Sequence, residues 1–128
     1  MTNVDLIKQG YSNFATGNVE AVLANFHPKI EWNECKGMQG TKGDGLYIGI
    51  EAIVKNVFMN LPVYFDGFNI AVTEIFGADD KVVMVGHYQG TNKATGNPFN
   101  ANATHVWTLK DGKVTHFFQA ADTATINS

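Results

Sequence analysis

From Ala101 to Asp122 apolar and polar residues alternate with period two on either side of a tight turn, which predicts two adjacent strands of one sheet. In the first strand Ala101, Ala103, His105, Trp107 and Leu109 share a face, opposite Asn102, Thr104, Val106, Thr108 and Lys110. An imidazole therefore sits in an apolar row. Asp111-Gly112 supplies the hairpin turn, and Val114, His116, Phe118, Ala120 and Asp122 form the matching face of the second strand, so that a carboxylate closes it. Two more strands, residues 68–76 and 82–91, precede this hairpin, bounded by Gly77-Ala78-Asp79-Asp80 and Thr95-Gly96-Asn97-Pro98. Four consecutive strands with short turns imply an antiparallel meander.

The N-terminal half carries the helical period. Thr2-Asn3-Val4-Asp5 reads as a capping box ahead of Val4, Ile7, Tyr11 and Phe14, and Thr16-Gly17-Asn18 ends that helix. Asn18 caps a second helix with Val19, Val22, Leu23 and Phe26 on one face, which His27-Pro28 stops. Ile30-Glu31-Trp32-Asn33-Glu34 is a short alternating strand with Ile30, Trp32 and Glu34 on one side. A glycine-rich loop over residues 37–45 is a candidate lid, and a third helix follows with Ile50, Ile53, Val54, Val57, Phe58 and Leu61 on one face and Pro62 as terminator. Helices first and strands last predict a single α+β domain over residues 1–128, its N-terminal helices packed on a strongly curved, mainly antiparallel sheet with a cavity between.

Composition narrows the partners. With 128 residues and 45% hydrophobic content the chain is long enough for a real core. A net charge of -3 without a basic run argues against nucleic acid. The chain has no arginine, so the planar clamp that grips carboxylates and phosphates is missing, and an uncharged, hydrophobic small molecule fits better as ligand. No stretch is long enough to span a membrane and the start lacks a leader pattern, which reads as a soluble cytoplasmic protein. Cys35 is the only cysteine, which excludes an internal disulfide and a cysteine-based metal site and leaves a packing role. His87, His105, His116 and the acids show no close metal-ligand spacing, and residues 37–45 lack the strand, helix and Lys-Ser/Thr of a phosphate loop, so no metal and no cofactor is expected.

Tyr11-Ser12-Asn13-Phe14-Ala15-Thr16-Gly17-Asn18, Asn25-Phe26-His27-Pro28 with Glu31-Trp32, and Tyr47-Ile48-Gly49-Ile50-Glu51-Ala52-Ile53 resemble the SnoaL-like family, as do Thr95-Gly96, His105-Val106-Trp107, Asp111-Gly112-Lys113-Val114 and Asp122-Thr123. That family belongs to the ketosteroid isomerase and nuclear transport factor two-like superfamily. The resemblance implies a cone-shaped α+β barrel, usually dimeric, with a pocket between sheet and helices, and it implies no single reaction, because the fold hosts isomerases, cyclases, dehydratases, epoxide hydrolases and noncatalytic binders. Glu34 falls where ketosteroid isomerases carry the general-base carboxylate, and His105 where they carry the oxyanion-donating aspartic acid. Their oxyanion tyrosine aligns with Gly10, one residue before Tyr11. Asp122 resembles the acid/base aspartate of SnoaL-type cyclases. The epoxide hydrolases need an arginine that this chain lacks, and His87 lies near one of the histidines of scytalone dehydratase.

Each candidate carries two readings. Glu34 is a general base raised in pKa beside Trp32, or a strand-end carboxylate bound by solvent or the following loop. His105 is a neutral imidazole that donates to an enolate oxygen or shuttles a proton towards Asp122, or a core histidine satisfied by a carbonyl. Asp122 is an acid/base group or the cap of the chain leaving the sheet. Phe14, Trp32, Tyr47, Phe58, Tyr88, Trp107 and Phe118 are expected to line the pocket. If Gly86 and Tyr88 point inward, His87 points out. The two functions kept open are a cofactor-independent isomerase, cyclase or dehydratase acting on a hydrophobic carbonyl compound, and a noncatalytic hydrophobic-ligand-binding or dimerisation module. A homodimer is expected from the fold and from residues 82–85, apolar on both faces.

Overall fold

A computed structural model describes residues 1–128. Helix α1 (Asn3–Ala15) begins at the reciprocal cap, with Asp5 N donating to Thr2 Oγ1 at 3.1 Å and Thr2 N to Asp5 Oδ2 at 3.2 Å. Helix α2 (Val19–Leu23) starts on Asn18, whose Oδ1 accepts from Ala21 N, and is only 5 residues long. Phe26 does not extend it; β1 (Phe26–Asn33) starts there instead. Pro28 has no N–H and drives the residue before it into extended backbone, so the chain leaves the helix early and Phe26 pairs with Val114.

After the loop comes β2 (Leu46–Ile48), three residues paired antiparallel with β1 and too short to show a period in the sequence. The third helix is broken as well. Helix α3 (Ile50–Asn56) gives way to a single 3-10 turn over Phe58–Asn60 and then to α4 (Leu61–Tyr64), where Pro62 occupies the first turn rather than ending a helix. The meander follows as β3 (Phe65–Ala78), β4 (Lys81–Asn92), β5 (Pro98–Lys110) and β6 (Lys113–Ala121), and α5 (Thr123–Ile126) closes the chain.

The six strands lie in the order β2-β1-β6-β5-β4-β3, a curled sheet that does not close, antiparallel except where β1 runs parallel to β6. Helices cover one face: Ile7 of α1, Val22 of α2 and Ile53 of α3 share a core with Trp32, Trp107 and Phe117. No helix is long and apolar enough to cross a membrane.

The last strand departs from the alternation that its sequence predicts. Leu109 pairs with Val114 but Thr108 pairs with His116, which leaves Thr115 as an extra residue. A one-residue bulge exchanges the faces of everything beyond it. Val114, Phe117 and Gln119 are therefore buried, whereas His116, Phe118 and Ala120 face outward. His116 Nε2 meets Glu31 Oε2 at 2.7 Å on that outer surface. Phe118, expected in the pocket, is 53% exposed. It ends a cross-strand apolar row in which Phe76 pairs with Val83, Val83 with Val106 and Val106 with Phe118.

A second bulge, at Thr73 of β3, lies beside Gly86 of β4. A β-carbon on Gly86 would collide with the Ala71 carbonyl oxygen and stand 2.9 Å from Met84 Sδ. The missing side chain lets β3 approach where the sheet bends. Gly86→Ala is expected to lower stability by about 1–3 kcal/mol, the usual cost of overpacking, and denaturant unfolding measures it.

Candidate active site

A cavity of about 780 Å³, open mouth included, lies between α1, α2, the segment after α3 and the inner face of the sheet; 17 of its 22 lining residues are hydrophobic. Phe14, Trp32, Phe58, Tyr88 and Trp107 line it. Tyr47 does not. Paired with Trp32 across β1 and β2, it is buried in the same core cluster, and its hydroxyl accepts from Lys42 N at 2.9 Å, tying down the glycine-rich loop. The loop is further held by Glu34 N donating to Gly45 O at 2.8 Å and Asn127 Nδ2 to Gly37 O at 2.7 Å, and it supplies Met38 as a fixed part of the wall.

One polar chain crosses the apolar lining. Trp107 Nε1 donates to Tyr11 Oη at 2.8 Å, Tyr11 Oη meets His105 Nδ1 at 2.7 Å, His105 Nε2 meets Tyr88 Oη at 2.5 Å, and Tyr88 donates to Gln119 Oε1. The ends set its direction. Tyr88 has one proton and gives it to the amide oxygen, so it accepts from His105, which carries its proton on Nε2; Nδ1 then accepts from Tyr11. His105 is 2% exposed, and burial pushes its pKa down to about 3, which keeps the ring neutral as this pattern requires. Burial pushes both phenols up, so Tyr11 and Tyr88 stay protonated. His105 lines the cavity, but both of its nitrogens are engaged by the two phenols and neither is bonded to Asp122.

Glu34, just beyond β1, also faces the cavity. Its Oε1 is buried without a hydrogen-bond partner. Burial raises its pKa to about 7, against smaller opposing effects of the Trp32 indole and the Cys35 backbone N–H. The indole N–H is near enough to favour the carboxylate but is not aligned as a hydrogen bond, and Trp32 Nε1 is itself unpartnered.

Asp122 lies outside the cavity. It caps α5, its Oδ1 accepting from Thr125 N at 3.1 Å, and hydrogen bonds from Thr125 hold its carboxyl below the ordinary carboxylate range. The bulge at Thr115 explains its displacement: the phase that would have turned it inward is inverted seven residues earlier. The same inversion brings in Gln119, which no alternation in the sequence indicates. Tyr11 lay on the apolar face of α1 throughout, and Gly10 beside it leaves open space in the cavity. Tyr88 points inward from β4, His87 lies on the other face, and Cys35 is half-buried with its thiol pushed up by burial.

Sequence and structure comparisons agree with this architecture. A family model described as SnoaL-like domain matches residues 7–117. The chain belongs to the SnoaL-like family. No match is found among the curated proteins. Among solved structures, an NTF2-like protein from Burkholderia thailandensis is 32% identical with a TM-score of 0.92, covering 99% of this chain and 95% of that one. An NTF2-like protein of unknown function from Burkholderia pseudomallei is 22% identical, with a TM-score of 0.87 and 98% and 95% coverage, a likeness of fold. TerC, co-crystallised with polyporic acid, is 26% identical with a TM-score of 0.85, covering 98% of this chain and 95% of that one.

In this SnoaL-like domain Glu34 links stability to pH. Its pKa is higher folded, about 7, than the unfolded 4.5, so the native state binds more protons between those values. Its contribution is fully present below about pH 4.5 and is lost as pH rises through 7, up to ~3 kcal/mol at 1.36 kcal/mol per unit. Glu34→Gln is therefore expected to be more stable than the wild type at pH 8.5, with the gap closing towards pH 4, in paired urea titrations.

Proposed function

We propose that this protein is a cofactor-independent enzyme of the isomerase, cyclase or lyase type, in which Glu34 takes a proton from the carbon next to a carbonyl group of a hydrophobic compound. One observation carries the reading: a buried carboxylate oxygen with no partner faces an apolar cavity, and its pKa of about 7 lets the ionised base exist at neutral pH while remaining a strong acceptor. His105 is a positioning residue that fixes the two phenols. Asp122 has no part in the step. The cavity holds no lysine, consistent with an uncharged ligand, and the co-crystallisation of TerC with polyporic acid supports a small organic molecule as occupant.

Retention of a ligand without turnover is the second reading, favoured by the predominance of apolar lining. Deuterium incorporation separates the two. A panel of apolar ketones in heavy water, followed by mass spectrometry, is expected to reveal exchange next to the carbonyl that rises with pH around a midpoint near 7. Glu34→Gln is expected to slow it by roughly 10²-fold or more. Ligands that bind without exchange, or exchange unchanged in Glu34→Gln, refute the acid/base reading.

The homodimer belongs to the same proposal. Phe76 and Phe118, 48% and 53% exposed, sit at the ends of the outer apolar row, a surface suited to a second copy of the chain. Sedimentation at micromolar concentration is expected to give twice the 14.0 kDa chain mass, and Phe118→Glu to restore the monomer.

A further inference from the structure

Gln119 is 4% exposed and lines the cavity, yet its amide nitrogen has no hydrogen-bond partner. Buried amide N–H groups are rarely left unpaired without a use. Tyr88 holds Gln119 Oε1 and is in turn held by His105, so the unpaired end of this cavity-lining amide is its nitrogen.

The hydroxyl protons of Tyr11 and Tyr88 are used within the chain, and the one other open donor, the Trp32 N–H, lies beside the Glu34 carboxyl rather than beside Gln119. Ionised Glu34 only accepts. We propose that Gln119 is the residue that binds the carbonyl oxygen of the ligand, making uncharged carbonyl compounds the class that this cavity selects, and that the chain from Trp107 through Tyr11, His105 and Tyr88 serves to orient and polarise that amide.

The chemistry supports a role beyond geometry. A hydrogen bond received at an amide oxygen draws electron density from the nitrogen and makes its protons better donors, and each preceding bond in the chain acts in the same sense. The donor needs no charge of its own, and it stays bound as negative charge grows on the ligand oxygen. This inference rests on the reading of the cavity as a holder of an apolar carbonyl compound, but not on Glu34 performing turnover.

The test uses two probes of matched shape, 2-acetonaphthone and 2-ethylnaphthalene, at pH 8.5, where Glu34 is ionised and has no proton to give. Intrinsic tryptophan fluorescence reads binding through Trp32 and Trp107. The ketone is expected to bind at least about tenfold more tightly, to show its carbonyl stretch below the frequency in hexane, and to move the side-chain amide proton resonances of Gln119 downfield in the unmodified, nitrogen-15-labelled protein. The ethyl analogue is expected to leave those resonances in place. Tyr88→Phe combined with Gln119→Met, which also removes the phenol that the single change would free, is expected to abolish both the preference and the infrared shift. If that variant does not fold, the labelled wild-type protein decides alone. A bound ketone with its hexane frequency and unmoved Gln119 resonances overturns the assignment and leaves the base role of Glu34 standing. Failure of both probes to bind overturns it together with the cavity reading.

Discussion

The arrangement of the site depends on one extra residue in a strand. Thr115 interrupts the pairing of β6 with β5, and from that point inward and outward positions are exchanged. Phe117 then stacks on Trp32 with ring centroids 3.7 Å apart and lies 4.8 Å from the His105 ring, filling the floor of the cavity. Two residues on, Gln119 reaches the same face and accepts from Tyr88. Without the bulge, His116 and Phe118 would occupy this wall, Glu31 would lose its ring partner, and the imidazole of His105 would stand beside a phenol with nowhere to place its proton.

Burying an imidazole and two phenols in an aromatic cluster would be costly if any were left unpaired, on the order of 1–3 kcal/mol for each neutral group. The chain from Trp107 to Gln119 removes that cost by giving the imidazole and both phenols a donor and an acceptor role that their neighbours complete. The residual mismatch is displaced to the cavity wall, where Gln119 Nε2, Glu34 Oε1 and Trp32 Nε1 remain open. A folded domain retains such groups where something outside the chain can satisfy them. On the proposed function, these unpaired atoms meet the ligand's polar edge and the apolar remainder holds its body.

Most of the fold was legible because it rests on local chemistry: the Thr2 cap, the period of α1, the Asp111-Gly112 turn and the alternation of β5 all act over a few residues. What escaped was set by pairing partners. β2 is too short to carry a pattern, α3 ends at Asn56 ahead of a 3-10 turn and the new helix that Pro62 helps to start, and the Thr115 bulge has no glycine or proline to announce it. The site divides along the same line. Glu34 and His105 precede the bulge in their sheet faces and lie where alternation puts them, whereas Phe118 and Asp122 follow it and are displaced, and Gln119 is gained for the same reason. Tyr47 was misplaced differently, since its inward side chain packs in the core rather than on the cavity.

The electrostatics of the cavity also restrict what can occupy it. None of the 9 lysines lines it and arginine is absent, so Glu34 is its one ionisable group near neutrality. An anionic ligand would raise that carboxyl further and suppress the ionised form needed for proton removal, while a cation would lower it and weaken the base. A neutral, apolar ligand expels water and so strengthens the base without a permanent charge of its own. In the proposed reaction the negative charge that leaves Glu34 as it gains a proton reappears on the ligand. An unpartnered donor on the opposing wall is where that charge is best received, and the neutrality of His105 ensures that the donor is aligned before the charge arrives.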